Sequence, residues 1–180
     1  MIHVEVRVDI DRPPGEVFAY LEEVENNMQW LKGMRSARWT SPRPVGVGST
    51  YEQQSHFLGR DIKTSFEVTR HEPGRLITIE SREGSSFPIT VTRKVEPDGR
   101  GRSHITEIVD GDASGFYSLA TPLLRRMVKR NIQRDYGSLK RLLEVSPPRS
   151  RADRLSDRRA GLGPLPDPPR KGEGEDVETA

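Results

Sequence analysis

The chain has 180 residues, of which 32% are hydrophobic and 31% charged, and its 29 basic and 27 acidic side chains leave a net charge of +2. An imbalance that small creates no strong global field and argues against nucleic acid as a partner. There is no cysteine, which excludes disulfides, thiolate metal sites and cysteine nucleophiles and fits a reducing, cytoplasmic setting.

Residues 2–10 alternate, with Ile2, Val4, Val6, Val8 and Ile10 on one face and His3, Glu5, Arg7 and Asp9 on the other. That is the pattern of a half-buried strand. It is not the charged segment followed by an apolar run of a signal peptide, and no apolar run approaches the about 20 residues that span a bilayer. Pro13 and Pro14 stop the strand and set up a helix, with Glu16 placed to favour the positive end of its first turn. Val17, Phe18, Tyr20, Leu21 and Val24 supply the apolar stripe of that helix. A second short helical piece runs through Met28, Trp30 and Leu31 and ends before Gly33. Two short helices after a strand predict a helical connection arching over a sheet.

From residue 34 to 112 the pattern becomes strand and turn, repeated. Strands are expected near 34–40, 48–57, 60–71, 75–82, 86–96 and 102–111, punctuated by Pro42 and Pro44, Gly59, Pro73-Gly74, Gly84 and Pro97-Asp98-Gly99. The short connections between the later strands require antiparallel neighbours. With the first strand this makes seven in a meander. Residues 115–145 read as one long helix on which Phe116, Leu119, Leu123, Met127, Ile132, Tyr136, Leu139 and Leu143 recur at helical steps. Leu124, Val128 and Leu142 widen the stripe to the breadth needed to cover a sheet. Pro122 sits early enough to permit a kink or a split start. The opposite face carries Arg125, Arg126, Lys129, Arg130, Arg134 and Lys140. A solvated outer face accounts for these, and the same geometry would permit transient contact with an anionic membrane surface.

After Val145 the composition changes. Residues 146–180 hold six prolines and four glycines, seven basic and seven acidic side chains, and only four residues from Leu, Val and Ile. So little apolar area cannot offset the entropy of ordering, and a disordered tail is expected there. The organisation is therefore a domain over 1–145 followed by a tail over 146–180.

One strand, two short helices, six antiparallel strands and a long C-terminal helix is the order of the helix-grip fold, an α+β fold. In it a seven-stranded curved antiparallel sheet wraps on the last helix. The residues resemble a family as well. The opening "VRVDIDRPPGEVFAYLEEVENNMQWLKGM" is similar to the polyketide cyclase/dehydrase branch of the START and Bet v 1-like (SRPBCC) superfamily: an alternating strand, a proline-marked turn, a Val-Phe pair and a short segment ending in Trp30. "VGVGSTYE" resembles the family's Gly-x-Gly turn and following aromatic, through Gly46, Gly48 and Tyr51. "FEVTRHEPGRL" resembles the next strand-turn-strand, and "GSLKRLLE" the end of the last helix.

The resemblance implies a ligand cavity between sheet and long helix, open toward the short helices and some strand loops. On that fold, alternation turns Tyr51, Gln53, Ile62, Thr64, Phe66, Phe87, Ile89 and Val91 inward, faced by Phe116, Leu119, Ala120, Leu123 and Met127 from the helix. Such a lining suits an apolar or aromatic ligand; core filling is the plainer reading of the same residues. Trp30 would either stack on a ligand at the cavity mouth or anchor a short helix to the sheet. Tyr20, Tyr117 and Tyr136 would either offer phenol hydroxyls to a polyketide carbonyl or, as the plainer reading, be core residues with the hydroxyl at the rim.

Acid–base machinery is not evident. His3 is expected to be exposed, and His56 and His71 sit near turns. His104 differs from Glu107 by an odd step, so the two cannot share a strand face. No paired-histidine metal spacing, phosphate loop or Gly-x-Ser-x-Gly elbow occurs. The leading expectation is binding of a small hydrophobic ligand (a lipid, quinone or polyketide-like molecule) without a cofactor, by a monomer or weak dimer. The alternative is a cyclase or dehydratase that works in the same cavity by holding a productive conformer. A further alternative is an interaction scaffold using the tail. The polar groups that discriminate these readings are Gln53, His104 and Tyr136.

Overall fold

In the computed structural model residues 1–112, 115 and 121–145 are described; Phe116, Tyr117, Leu119, Ala120 and the expected tail over 146–180 lie outside them. The first strand, β1 (Ile2–Ile10), buries Ile2, Val4, Val6 and Ile10 and turns His3 and Arg7 outward, as its period of two requires. Pro14 opens α1 (Pro14–Glu22) at the position where a missing N–H costs nothing. Val17, Phe18 and Leu21 form its buried face. A 3-10 turn over Val24–Asn26 leads into the one-turn α2 (Asn27–Trp30).

Six further strands follow: β2 (Met34–Trp39), β3 (Thr50–Phe57), β4 (Arg60–Glu72), β5 (Leu76–Ser81), β6 (Ile89–Pro97) and β7 (Ser103–Gly111). All pairs are antiparallel, and the spatial order is β1-β7-β6-β5-β4-β3-β2. The expected seven-strand meander is therefore corrected. Only β2 to β7 form one, and β1 lies beside β7, from Ile2 opposite Gly111 to Ile10 opposite Ser103. The reason is the helical connection, which carries the chain from one edge of the sheet to the other instead of returning it next door. Register shifts between Met34 and Ser36 and between Val68 and Arg70 bend β2 and β4, since an extra residue on one side of a ladder increases local twist.

The last helix, α3 (Thr121–Val145), buries Leu124, Asp135, Tyr136 and Leu139 against the sheet. Its C-terminal end is tied to the end of β1. Arg12 donates from Nε to the Leu143 carbonyl at 2.7 Å, the Asp11 N–H donates to Glu144 at 2.8 Å, and Lys140 donates to the Asp9 carbonyl at 2.6 Å. A guanidinium on the last carbonyls satisfies acceptors that no helix can satisfy internally. Among the described residues no helix is long and apolar enough to cross a membrane.

Gly33, between α2 and β2, has φ +86°, and its carbonyl accepts the His56 N–H at 2.8 Å. A Cβ there would lie 2.3 Å from the His56 carbonyl oxygen. Gly59 has φ +77° but open space around it. Gly33→Ala is therefore expected to lose on the order of 3 kcal/mol in urea unfolding, against about 1 kcal/mol for Gly59→Ala. Equal losses would show that the close approach of Gly33 to β3 does not matter.

Candidate functional site

Between the inner face of the sheet and the N-terminal part of α3 lies a cavity of about 220 Å³. Its sheet wall comes from six of the seven strands. Gln53 and Ser55 project from β3 and Ile62 from β4; Ile89 and Val91 come from β6, Val109 from β7 and Ile2 from β1. The helix wall is Leu124, Val128 and Ile132. Leu31 and Lys32 border it from the segment after α2 and Met34 from the start of β2, with His56 and Phe57 at the end of β3 and Phe87 before β6.

Of the residues expected to line a ligand site, Gln53, Ile62, Phe87, Ile89 and Val91 stand on this wall. Phe87 lies on the approach to β6 rather than within the strand. Tyr51, Thr64 and Phe66 are buried on the same face but belong to the packed core. Tyr51 stacks on Phe66, ring centroids 5.0 Å apart, and meets Trp39 edge-on at 5.3 Å. The expected helix row is displaced. Leu123 is half-exposed and Met127 is off the wall, while Leu124 and Val128 line the cavity. The helix is thus rotated by about one residue from the expected phase, because its position is set by Tyr136 and Leu139, buried further along. Trp30 is buried and off the wall, one ring face taken by Arg93 and its neighbour Tyr136 at 5.1 Å.

One end of the cavity is polar. Arg93 and Glu107 stand opposite each other in the β6–β7 register, both inward and both buried. Arg93 donates from Nε to Glu107 Oε2 at 2.8 Å, and the Tyr136 hydroxyl donates to the same oxygen at 2.6 Å. The guanidinium carbon sits 5.5 Å from the centre of the Trp30 ring, a cation–π distance. Burial works against the Arg93 charge, but Glu107 and the neighbouring Tyr136 and Tyr51 together outweigh it and hold the guanidinium protonated. Burial, and then Glu107 beside it, pushes the Tyr136 phenol well above its ordinary value. Beside this cluster Asp135 accepts the Lys32 N–H at 3.1 Å and the Asn131 amide at 3.0 Å. Desolvation nevertheless wins and raises its carboxyl to about 6.

Arg93, Glu107, Asn131 and Asp135 are functional candidates that pattern reading passes over. A signal was present. Arg93 interrupts the inward row Ile89, Val91, Val95, and Glu107 interrupts Ile105 and Val109. Opposite charges at inward positions of adjacent strands are too costly to bury unless they meet. The histidines stand apart from this chemistry. His3 pairs with Asp110, His104 with Asp9 and His56 with Asp61, at 2.6, 2.6 and 2.8 Å, all on exposed side chains. His104 and Glu107 occupy opposite faces of β7, as their spacing requires. His71, beside the Pro73-Gly74 turn, is largely buried against α1, 2.6 Å from Glu22. Among the described residues no group of His, Asp and Glu is arranged to hold a metal ion.

The family model of polyketide cyclase/dehydrase and lipid transport proteins matches residues 1–144. Similar solved structures include a Thermus thermophilus protein, 16% identical with TM-score 0.66, the match covering 80% of this chain and 99% of that one. A START superfamily protein from Mycobacterium smegmatis is 10% identical with TM-score 0.65, covering 77% and 94%. The Zhui aromatase/cyclase from a Streptomyces species is 16% identical with TM-score 0.59, covering 76% and 89%. These likenesses are of fold. Among curated proteins none matches the sequence.

Two measurements test the polar end. Glu107→Leu leaves a buried guanidinium without its counter-ion and is expected to cost about 4 kcal/mol, whereas Arg93→Met combined with Glu107→Leu regains most of it. A double variant as unstable as the single one would mean that the pair itself stabilises the fold. For Asp135 the folded value of about 6 exceeds the ordinary 3.8. The native state then holds a proton that the unfolded state has released, so the carboxyl's contribution is complete below about pH 4 and is lost as pH rises through about 6. Relative to Asp135→Asn, the protein should lose roughly 1–2 kcal/mol across that window, after allowance for screening. Parallel stability curves for the two would show an ordinary carboxyl.

Proposed function

Because the chain belongs to the polyketide cyclase/dehydrase and lipid transport family over residues 1–144, we propose that it binds a small, mostly apolar molecule in the cavity between sheet and α3. The observation that carries this is the lining. Aliphatic and aromatic side chains from six strands and one helix line the space, and Arg93, Glu107, Asn131 and Asp135 form a polar cluster on its wall. Apolar surface of this kind is favourably removed from water, and an apolar guest gains dispersion contacts along the wall. The body of such a ligand would lie against Ile62, Val91, Val109, Leu124, Val128 and Ile132, with its polar atoms toward Arg93, Glu107 and Asp135. A lipid, a quinone or a polyketide-like chain meets these requirements.

A cyclase or dehydratase acting in the same cavity is the second reading, and one observation favours it. Asp135 lines the cavity with a carboxyl raised to about 6, close to the working range of a general base. It would take a proton from the activated methylene of a poly-carbonyl chain while the walls hold the chain folded for carbon–carbon bond formation. Formation of a new aromatic chromophore from a poly-β-ketone, abolished by Asp135→Asn, would establish this reading over simple carriage.

The binding reading is tested with N-phenyl-naphthylamine, a neutral probe that fluoresces when it leaves water. Saturable fluorescence is expected, lost in a Val128→Trp variant that fills the cavity from α3 while its circular dichroism stays unchanged. Saturable fluorescence in both proteins would place the probe elsewhere, and none in either would overturn the reading.

A further inference from the structure

The balance of charge at the polar end restricts what the cavity accepts. Among the described residues four charged groups border it: Arg93 from β6, Glu107 from β7, Asp135 from α3 and Lys32 from the segment after α2. Only the first three are buried. The Arg93 charge is already matched by Glu107 at 2.8 Å, and its face is covered by the Trp30 ring. Tyr136 spends its proton on the same carboxylate oxygen. Asp135 then adds a second carboxyl with no buried cation of its own; what it receives are the Lys32 backbone N–H and the Asn131 amide. Lys32 carries its ammonium on an exposed side chain, where water screens it and an ion pair contributes little. The Asn131 oxygen accepts from Arg134 on the outside of the helix, and its amide is occupied by Asp135.

The buried end is thus rich in acceptors and already at or below electrical neutrality. An incoming anion would be an uncompensated buried charge facing two carboxyls, and such a charge costs several kcal/mol unless a new partner is supplied. A hydroxyl meets no such penalty, because it donates to Glu107 or Asp135 without bringing a charge of its own. We infer that the cavity takes an apolar molecule with an uncharged, hydrogen-bond-donating head, a phenol or an alcohol, and discriminates against carboxylates such as fatty acids. This rests on the cavity being the ligand site, and it narrows the ligand class within that reading.

The test compares naphthol with naphthoate, which share a ring system and differ in the charge of the head, by calorimetry on the full-length protein at neutral pH. Naphthol is expected to bind at least tenfold more tightly. Glu107→Gln releases Arg93 as an unmatched cation, and is expected to collapse or invert that ratio. Asp135→Asn, which keeps the shape of the site and removes one carboxyl, should narrow it severalfold; this variant decides the matter if Glu107→Gln does not fold. Naphthoate bound as tightly as naphthol overturns the inference and leaves the ligand site standing, whether its head sits on Arg93 or on Lys32 at the mouth. A preference for naphthol that Asp135→Asn and any folded Glu107→Gln leave unchanged also overturns it, because the discrimination would then come from elsewhere. Binding of neither probe removes the cavity reading, and this inference with it.

Discussion

The Arg93–Glu107 pair, closed by the Tyr136 hydroxyl, is the constraint on which the other features depend. Two charges on neighbouring strands point into the interior, where neither can remain alone. Their register partnership on β6 and β7 brings them together, and the phenol from α3 completes the acceptor. This is a polar contact from the middle of the sheet to the helix, and it sets how α3 lies over the strands. Trp30 caps the cluster from α2. The segment after strand one, the sheet and the last helix therefore meet at one buried point.

The cavity follows from where that point lies. Beyond it, toward the C-terminus, Leu139 is completely buried, and Arg12, Asp11 and Lys140 bind the end of α3 to the end of β1. Before it, the helix meets the sheet through the shorter side chains Leu124, Val128 and Ile132, which do not reach across the curved surface. A helix pinned along one half cannot collapse onto the sheet along the other without breaking the contact of the Tyr136 hydroxyl with Glu107. The same residues that position α3 thus hold the cavity open and give it a polar wall.

Much of the fold was legible from pattern. The strict alternation of Ile2 to Ile10, the Pro13-Pro14 helix start and the turn residues at Gly59, Pro73-Gly74 and Asp98-Gly99 mark elements whose bounds the structure meets within a few residues. These features are local: an inward face needs a period of two and a turn needs glycine or proline. The site was legible only in part. Gln53, Ile62, Ile89 and Val91 face inward by alternation and line the cavity. Leu123 and Met127 do not, because a stripe widened by Leu124 and Val128 leaves the rotation of the helix open by about one residue. Arg93 and Glu107 looked like ordinary strand charges until their register made them partners.

By itself the sequence determined the elements, their order and the inward face of each strand, because those depend on steric rules that act within a few residues. It also carried the family resemblance, through the proline-marked turn, the Val-Phe pair and Trp30. Tertiary structure alone decided that β1 closes on β7, that α3 turns Leu124 and not Leu123 to the sheet, and that Asp135 is pressed into an environment that raises its carboxyl. Each of these depends on groups far apart in the chain: residues 2–10 against 103–111, and Lys32 against Asp135. The energy of a buried charge is set by what surrounds it in space, and no local pattern encodes that surrounding.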